Sequence, residues 1–167
     1  DLQQAEEFLL AMFDDLDWAV IGPRDRERQW AQPSEGCEDF EAKLAKVAGL
    51  NNDGYCIFVG ANPRKGDGQT GREGTKEARS YFADFDGGTT PEQALDTIRK
   101  AGLPDPSIIV FSGNGTHPYW LLYEPECDLS EWENRMRWIA YALGSHVADH
   151  LPKPVEGDPD EELHKQQ

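Results

Sequence analysis

Residues 107–123, SIIVFSGNGTHPYWLLY, constrain this chain more than any other stretch. Two apolar runs meet at Gly113-Asn114-Gly115. That pattern predicts a hairpin, with one strand over Ser107–Ser112 and its partner over Thr116–Tyr123. A lone hairpin is barely stable in water, so it must join a wider sheet with a helix over one face. Helices are predicted on both sides of it. Thr90 caps Pro91–Ala101, with proline at the first helical position and Gly102 as the stop. Ser130–Leu143 places Trp132, Met136, Ile139 and Leu143 along one side.

The remaining elements fit the same plan. Phe8, Leu9, Met12 and Phe13 recur at helical spacing within residues 3–14. Trp18 to Trp30 carries Pro23 and predicts one or two short strands. Ser34 reads as the cap of a helix bearing Phe40, Leu44 and Val47, with Gly49 as its stop. Tyr55–Val59 predicts a buried strand, Asn62–Gly74 a glycine-rich loop and Arg79–Phe85 a further strand. The order predicts an α+β fold, helices covering one face of a mostly antiparallel sheet. One domain over residues 1–150 is expected, followed by an acidic disordered tail over 151–167, which holds three prolines and no apolar period. The chain does not begin with Met, which suggests a fragment or a trimmed product.

Charge narrows the function. The 167 residues hold 16 Lys+Arg and 32 Asp+Glu, a net charge of −16. So acidic a chain is unsuited to coating DNA, which needs a basic face. The one net-basic stretch is residues 61–83, with 5 basic and 3 acidic groups, directly before Asp84. No apolar run is long enough to span a membrane, and the N-terminus lacks a signal-peptide layout, so a cytoplasmic location is expected. Cys37, Cys56 and Cys127 are far apart and odd in number, which suits buried thiols rather than a disulfide or zinc site.

Two stretches carry chemistry. In Tyr81-Phe82-Ala83-Asp84-Phe85-Asp86-Gly87-Gly88, a strand would put both carboxylates on one face and Phe85 on the other. Two close carboxylates repel unless a cation lies between them, and Mg²⁺ or Mn²⁺ suits such oxygen ligands. The same pair also suits a solvated strand end entering a turn. In Ser112-Gly113-Asn114-Gly115-Thr116-His117-Pro118-Tyr119-Trp120, a glycine-rich turn exposes amides that can cradle an anion, with Ser112 and His117 beside it. An ordinary hairpin with a satisfied histidine reads equally well. His146 and His150 stand at helical spacing, but neither neighbour of His146 is the glutamate that a zinc protease needs. Tyr119, Trp120, Trp132 and Trp138 read as core packing rather than base-stacking platforms.

Taken together, the two stretches resemble the archaeo-eukaryotic primase superfamily, most closely the primase-polymerase domains of phage and plasmid replication proteins. Asp84 and Asp86 match its D-x-D element. Ser112 and His117 match its S-x-H-like element in a longer SGxGxHxYW form. Phe58-Val59-Gly60-Ala61-Asn62-Pro63-Arg64, with Thr75 and Lys76 after the loop, also looks like this branch. The likeness covers roughly residues 5–150 and is most specific over 81–123. It implies an RRM-like catalytic unit with an N-terminal α/β unit. It further implies template-directed nucleotidyl transfer with two divalent metals, Mg²⁺ or Mn²⁺. Nucleoside triphosphates and a single-stranded or primed DNA template would be the partners, with a helicase or other replication domain nearby. His117 would contact the incoming triphosphate, and Arg64, Lys76 and Ser112 are further nucleotide-binding candidates. Asp149 is the one acid placed to serve as a third metal ligand, and the R-x-P-G stretch that usually follows is missing. That departure keeps open a catalytically silent relative that binds nucleotide or protein. A nicking enzyme on a similar fold would need a His-x-His pair, and the chain has none.

Overall fold

The hairpin forms, and a sheet grows from it. In a computed structural model, residues 2–13, 20–23, 28–31, 39–54, 57–65 and 73–144 are described. The elements run α1 (Leu2–Met12), β1 (Val20–Pro23), β2 (Arg28–Ala31), α2 (Phe40–Asn52), β3 (Phe58–Val59) and β4 (Ala78–Phe82). They continue with α3 (Pro91–Lys100), β5 (Ile108–Phe111), β6 (Thr116–Glu126) and α4 (Leu129–Ala142). One three-stranded sheet has the order β2-β1-β3, and another has the order β4-β6-β5. β1 is antiparallel to both of its neighbours, and β5 is antiparallel to β6. The fold is α+β with antiparallel sheets, as the element order predicts.

The chain divides into two compact units, and it passes from one to the other within β4, again within β6 and a third time at the start of α4. The first unit comprises Asp1–Tyr81 with Leu121–Leu129 and contains the β2-β1-β3 sheet. Leu9, Met12 and Phe13 are buried there, three of the four residues whose spacing predicted α1. The second unit comprises Phe82–Trp120 and the chain from Ser130. Its helix α3 packs on β5 and buries Ala94 and Ile98 completely. Thr90 and Gln93 close a reciprocal capping box at the start of α3. At its end, Gly102 N–H donates to Arg99 and Leu103 N–H to Ile98, the double bond of a Schellman stop.

On β6 the pattern alternates. Thr116, Pro118 and Trp120 are buried, while His117 and Tyr119 are half-buried on the other face. The Trp120 indole N–H donates to the Pro104 carbonyl at 2.8 Å, so this tryptophan is core, as expected.

Several expectations shift. Asp39, not Ser34, caps α2: its Oδ1 accepts the Ala42 N–H at 2.7 Å. Gly49 does not stop that helix, which runs on to Asn52. A helical glycine costs only about 1 kcal/mol, and the next turn recovers its hydrogen bonds. β4 is shorter than the expected strand and β6 longer. Trp138 is exposed, edge-on to Tyr141 at 6.4 Å between ring centres, rather than packed in a core. Cys127 is an exposed thiol in the link between β6 and α4, not a buried one. Asp149, His146, His150, Cys37, Cys56 and the expected tail lie outside the described residues. No helix among the described residues is long and apolar enough to cross a membrane.

Candidate active site

Backbone bonding builds the corner that carries the carboxylates. Beyond the end of β4 the chain stays beside β6. Ala83 N–H donates to the Pro118 carbonyl at 3.1 Å, and Phe85 and Thr116 exchange both backbone hydrogen bonds at 2.9 Å. The Thr116 hydroxyl, fully buried, donates to the Thr89 carbonyl at 2.6 Å. Gly88 N–H donates to the Asn114 carbonyl at 2.8 Å, tying the turn after Asp86 to the hairpin turn. Gly87 and Gly88, at φ 73° and 78°, occupy left-handed backbone that side chains resist. Gly115 is needed for closeness instead. A Cβ on it would stand 2.5 Å from the Phe85 carbonyl oxygen.

Alternation then sets the side chains. Asp84 and Asp86 are exposed on either side of half-buried Phe85. His117, opposite Val110 on the hairpin, brings its Nε2 to 3.4 Å from Asp84 Oδ1. Both groups are partly solvated, so the contact is a weak one energetically and matters as a juxtaposition. Tyr119 follows two residues later on the same face, with its ring 6.4 Å from Phe82, whose ring is also 6.4 Å from Trp132. Burial raises the Tyr119 phenol above its ordinary range, and the Asp84 charge adds to the effect. The Ser112 hydroxyl donates to the Gly115 carbonyl at 3.1 Å and accepts the Asn114 N–H at 3.4 Å, so it closes the turn.

The first unit holds Arg64 and Lys76. Arg64 bridges Thr75, with Lys65 N–H donating to Gly74 and Lys76 N–H to Pro63, both at 2.9 Å. The Arg64 guanidinium donates to the Thr75 hydroxyl at 3.3 Å. Asn62, buried just before them, accepts the amides of Arg79 at 2.7 Å and Ser80 at 2.9 Å on one oxygen. No periodicity marks Asn62. In the sequence it stands only as the first residue of the expected glycine-rich loop, with nothing to point to a partner.

The donors fit a hard divalent cation. Two exposed carboxylates with open water around them match the way Mg²⁺ is held by one or two carboxylates and a substrate phosphate. Among the described residues no group of three or more histidine, cysteine or acidic side chains is gathered for a metal. An open cleft of about 690 Å³ is lined by Phe85, Gly87, Gly88, Gln93, Thr97 and Leu143 among others, and by neither Asp84 nor Asp86.

No family model and no curated relative matches the chain. Among solved structures it is similar to the AEP domain of the primase-polymerase of cyanophage S-2L. The TM-score is 0.66 and the identity 18%, over 92% of this chain and 79% of that one. At that identity the likeness is one of fold.

Proposed function

We propose that this chain is a nucleotidyl-transfer domain that extends a primer on a DNA template, in the manner of a primase-polymerase. The observation that carries this reading is the juxtaposition of Asp84, just past the end of β4, and His117 of β6, 3.4 Å apart. The fold shared with a phage primase-polymerase domain supports it. In this reading Asp84 and Asp86 hold divalent metal, with Asp149 as a proposed third ligand. When bound, Mg²⁺ or Mn²⁺ supplies charge to the attacking and leaving oxygens of the transfer. His117 donates to the triphosphate, next to the amides of the Gly113–Gly115 turn. Ser112 acts through that turn, by keeping it closed. Arg64 and Lys76 are the proposed nucleotide-binding cations of the first unit. Mobile-element replication, with a helicase or further replication domain as partner, is the proposed setting.

The test is incorporation of labelled dNTP on a primed template with Mn²⁺, for wild type and Asp84→Ala. Metal-dependent extension that the variant lacks is the expected result. A second reading, a silent relative that binds nucleotide without transferring it, rests on the sequence's departure from the family pattern, with no R-x-P-G stretch in these 167 residues. Metal-dependent nucleotide binding without any extension would favour it.

A further inference from the structure

We infer that Asn62 is a positioning residue for Arg64, holding that arginine in a fixed pose for the phosphates of a nucleoside triphosphate. The inference rests on the nucleotide-binding reading of Arg64 proposed above. Arg64 is held at three levels. Its backbone is paired with Thr75. Its aliphatic stem lies over Gly60, where an added Cβ would meet the Arg64 Cδ at 3.7 Å. Its guanidinium donates to the buried Thr75 hydroxyl. A solvated loop arginine has no need of such seating.

The segment carrying Arg64 is in turn fastened to β4 by Asn62. One buried carboxamide oxygen accepts the Arg79 and Ser80 amides at 2.7 and 2.9 Å, and the Nδ2 faces the Ser80 carbonyl at 3.4 Å. The Ser80 hydroxyl returns a bond to the Ala61 carbonyl at 2.8 Å. The side chain thus does the work of a neighbouring strand for two residues of β4, and it stands two residues before Arg64. An arginine fixed beforehand loses less freedom when it meets a phosphate, which raises affinity without adding a contact.

The experiment is a double-mutant cycle on the full chain, with Asn62→Ala, Arg64→Ala and the pair. Binding of dATP with Mn²⁺ is titrated, and steady-state primer extension is measured. Arg64→Ala should weaken dATP about tenfold or more, the loss of a charge-assisted phosphate bond. Asn62→Ala should weaken it about twofold to tenfold, raising KM with kcat unchanged. On the Arg64→Ala background it should add almost nothing. If the two losses simply add, or if Asn62→Ala lowers kcat and leaves KM alone, the positioning role is overturned. If wild type binds no dATP, the nucleotide reading itself falls, a different failure from additivity. Should Asn62→Ala not fold, Thr75→Val removes the hydroxyl that seats the guanidinium. Unchanged dATP affinity in Thr75→Val then overturns the inference.

Discussion

The corner at Phe85 and Thr116 and the clamp at Asn62 both hold candidate chemistry in place, by opposite means. At the corner, main chain meets main chain: reciprocal amide bonds, two turns tied at Gly88 and Asn114, and a glycine where backbone lies too close for a Cβ. At the clamp, one side chain reaches residues 17 and 18 positions away. A corner made of backbone tolerates many side chains except where space is lacking. A clamp made of one carboxamide depends on that residue's identity and little else.

The largest effect is expected at the carboxylates the corner presents. Asp84→Ala and Asp86→Ala should each reduce nucleotide incorporation by about a thousandfold or more, several kcal/mol of barrier, if they hold the metals. Circular dichroism should be unchanged, because both side chains are exposed and the backbone bonds remain. Near-normal incorporation by either variant would remove that residue from the metal site.

Next comes stability, where the regions should part company. Gly115→Ala drives a methyl into the Phe85 carbonyl, which is backbone and cannot swing aside. A cost of about 1–3 kcal/mol is expected, the usual range for overpacking. Gly60→Ala meets nothing nearer than 3.4 Å and should stay within about 0.5 kcal/mol of wild type. Thermal melts of the two variants measure the contrast. Equal losses would mean that the corner yields as easily as the loop.

These two regions also differ in how far sequence alone reveals them. The corner was legible: turn glycines, alternation around Phe85 and the paired runs of the hairpin are local patterns. So was α3, whose cap, first proline and glycine stop are written within a dozen residues. The start of α2 was not, because Ser34 and Asp39 are both competent caps and local propensity does not choose between them. The Asn62 clamp was illegible for a stronger reason. A side chain bonding to a distant strand has no period, and the first residue of a glycine-rich stretch reads only as loop. The long Ser112–His117 spacing was readable as a motif. The closing of the turn by Ser112 leaves no such mark in the sequence, because one hydroxyl can bond in many ways within a turn.

At His117 a smaller effect separates substrate from template. His117→Ala removes a donor beside the hairpin turn and should weaken dATP with Mn²⁺ about tenfold to a hundredfold. Affinity for primed template should change much less. Parallel titrations decide the matter, and equal dATP affinity in both proteins would leave His117 as a hairpin residue that touches no ligand.

The smallest effect tests whether the Asp84 charge is felt along the sheet face. Tyr119 ionises above the ordinary phenol range, first because it is buried and second because ionised Asp84 opposes a nearby phenolate. Asp84→Asn removes only the second cause, so the Tyr119 titration should move down toward its ordinary value without reaching it. Absorbance of tyrosinate against pH, with Tyr119→Phe subtracted to isolate one of the chain's five tyrosines, gives the curve. The sign for stability follows. A folded-state phenol pKa raised above the unfolded value contributes stability that is complete below about pH 10 and is lost as pH rises through the folded pKa. Wild type should therefore lose stability above about pH 10, and Tyr119→Phe should lose less over the same interval. A titration that Asp84→Asn leaves untouched would mean that burial alone sets the phenol. The influence of Asp84 would then stop at His117.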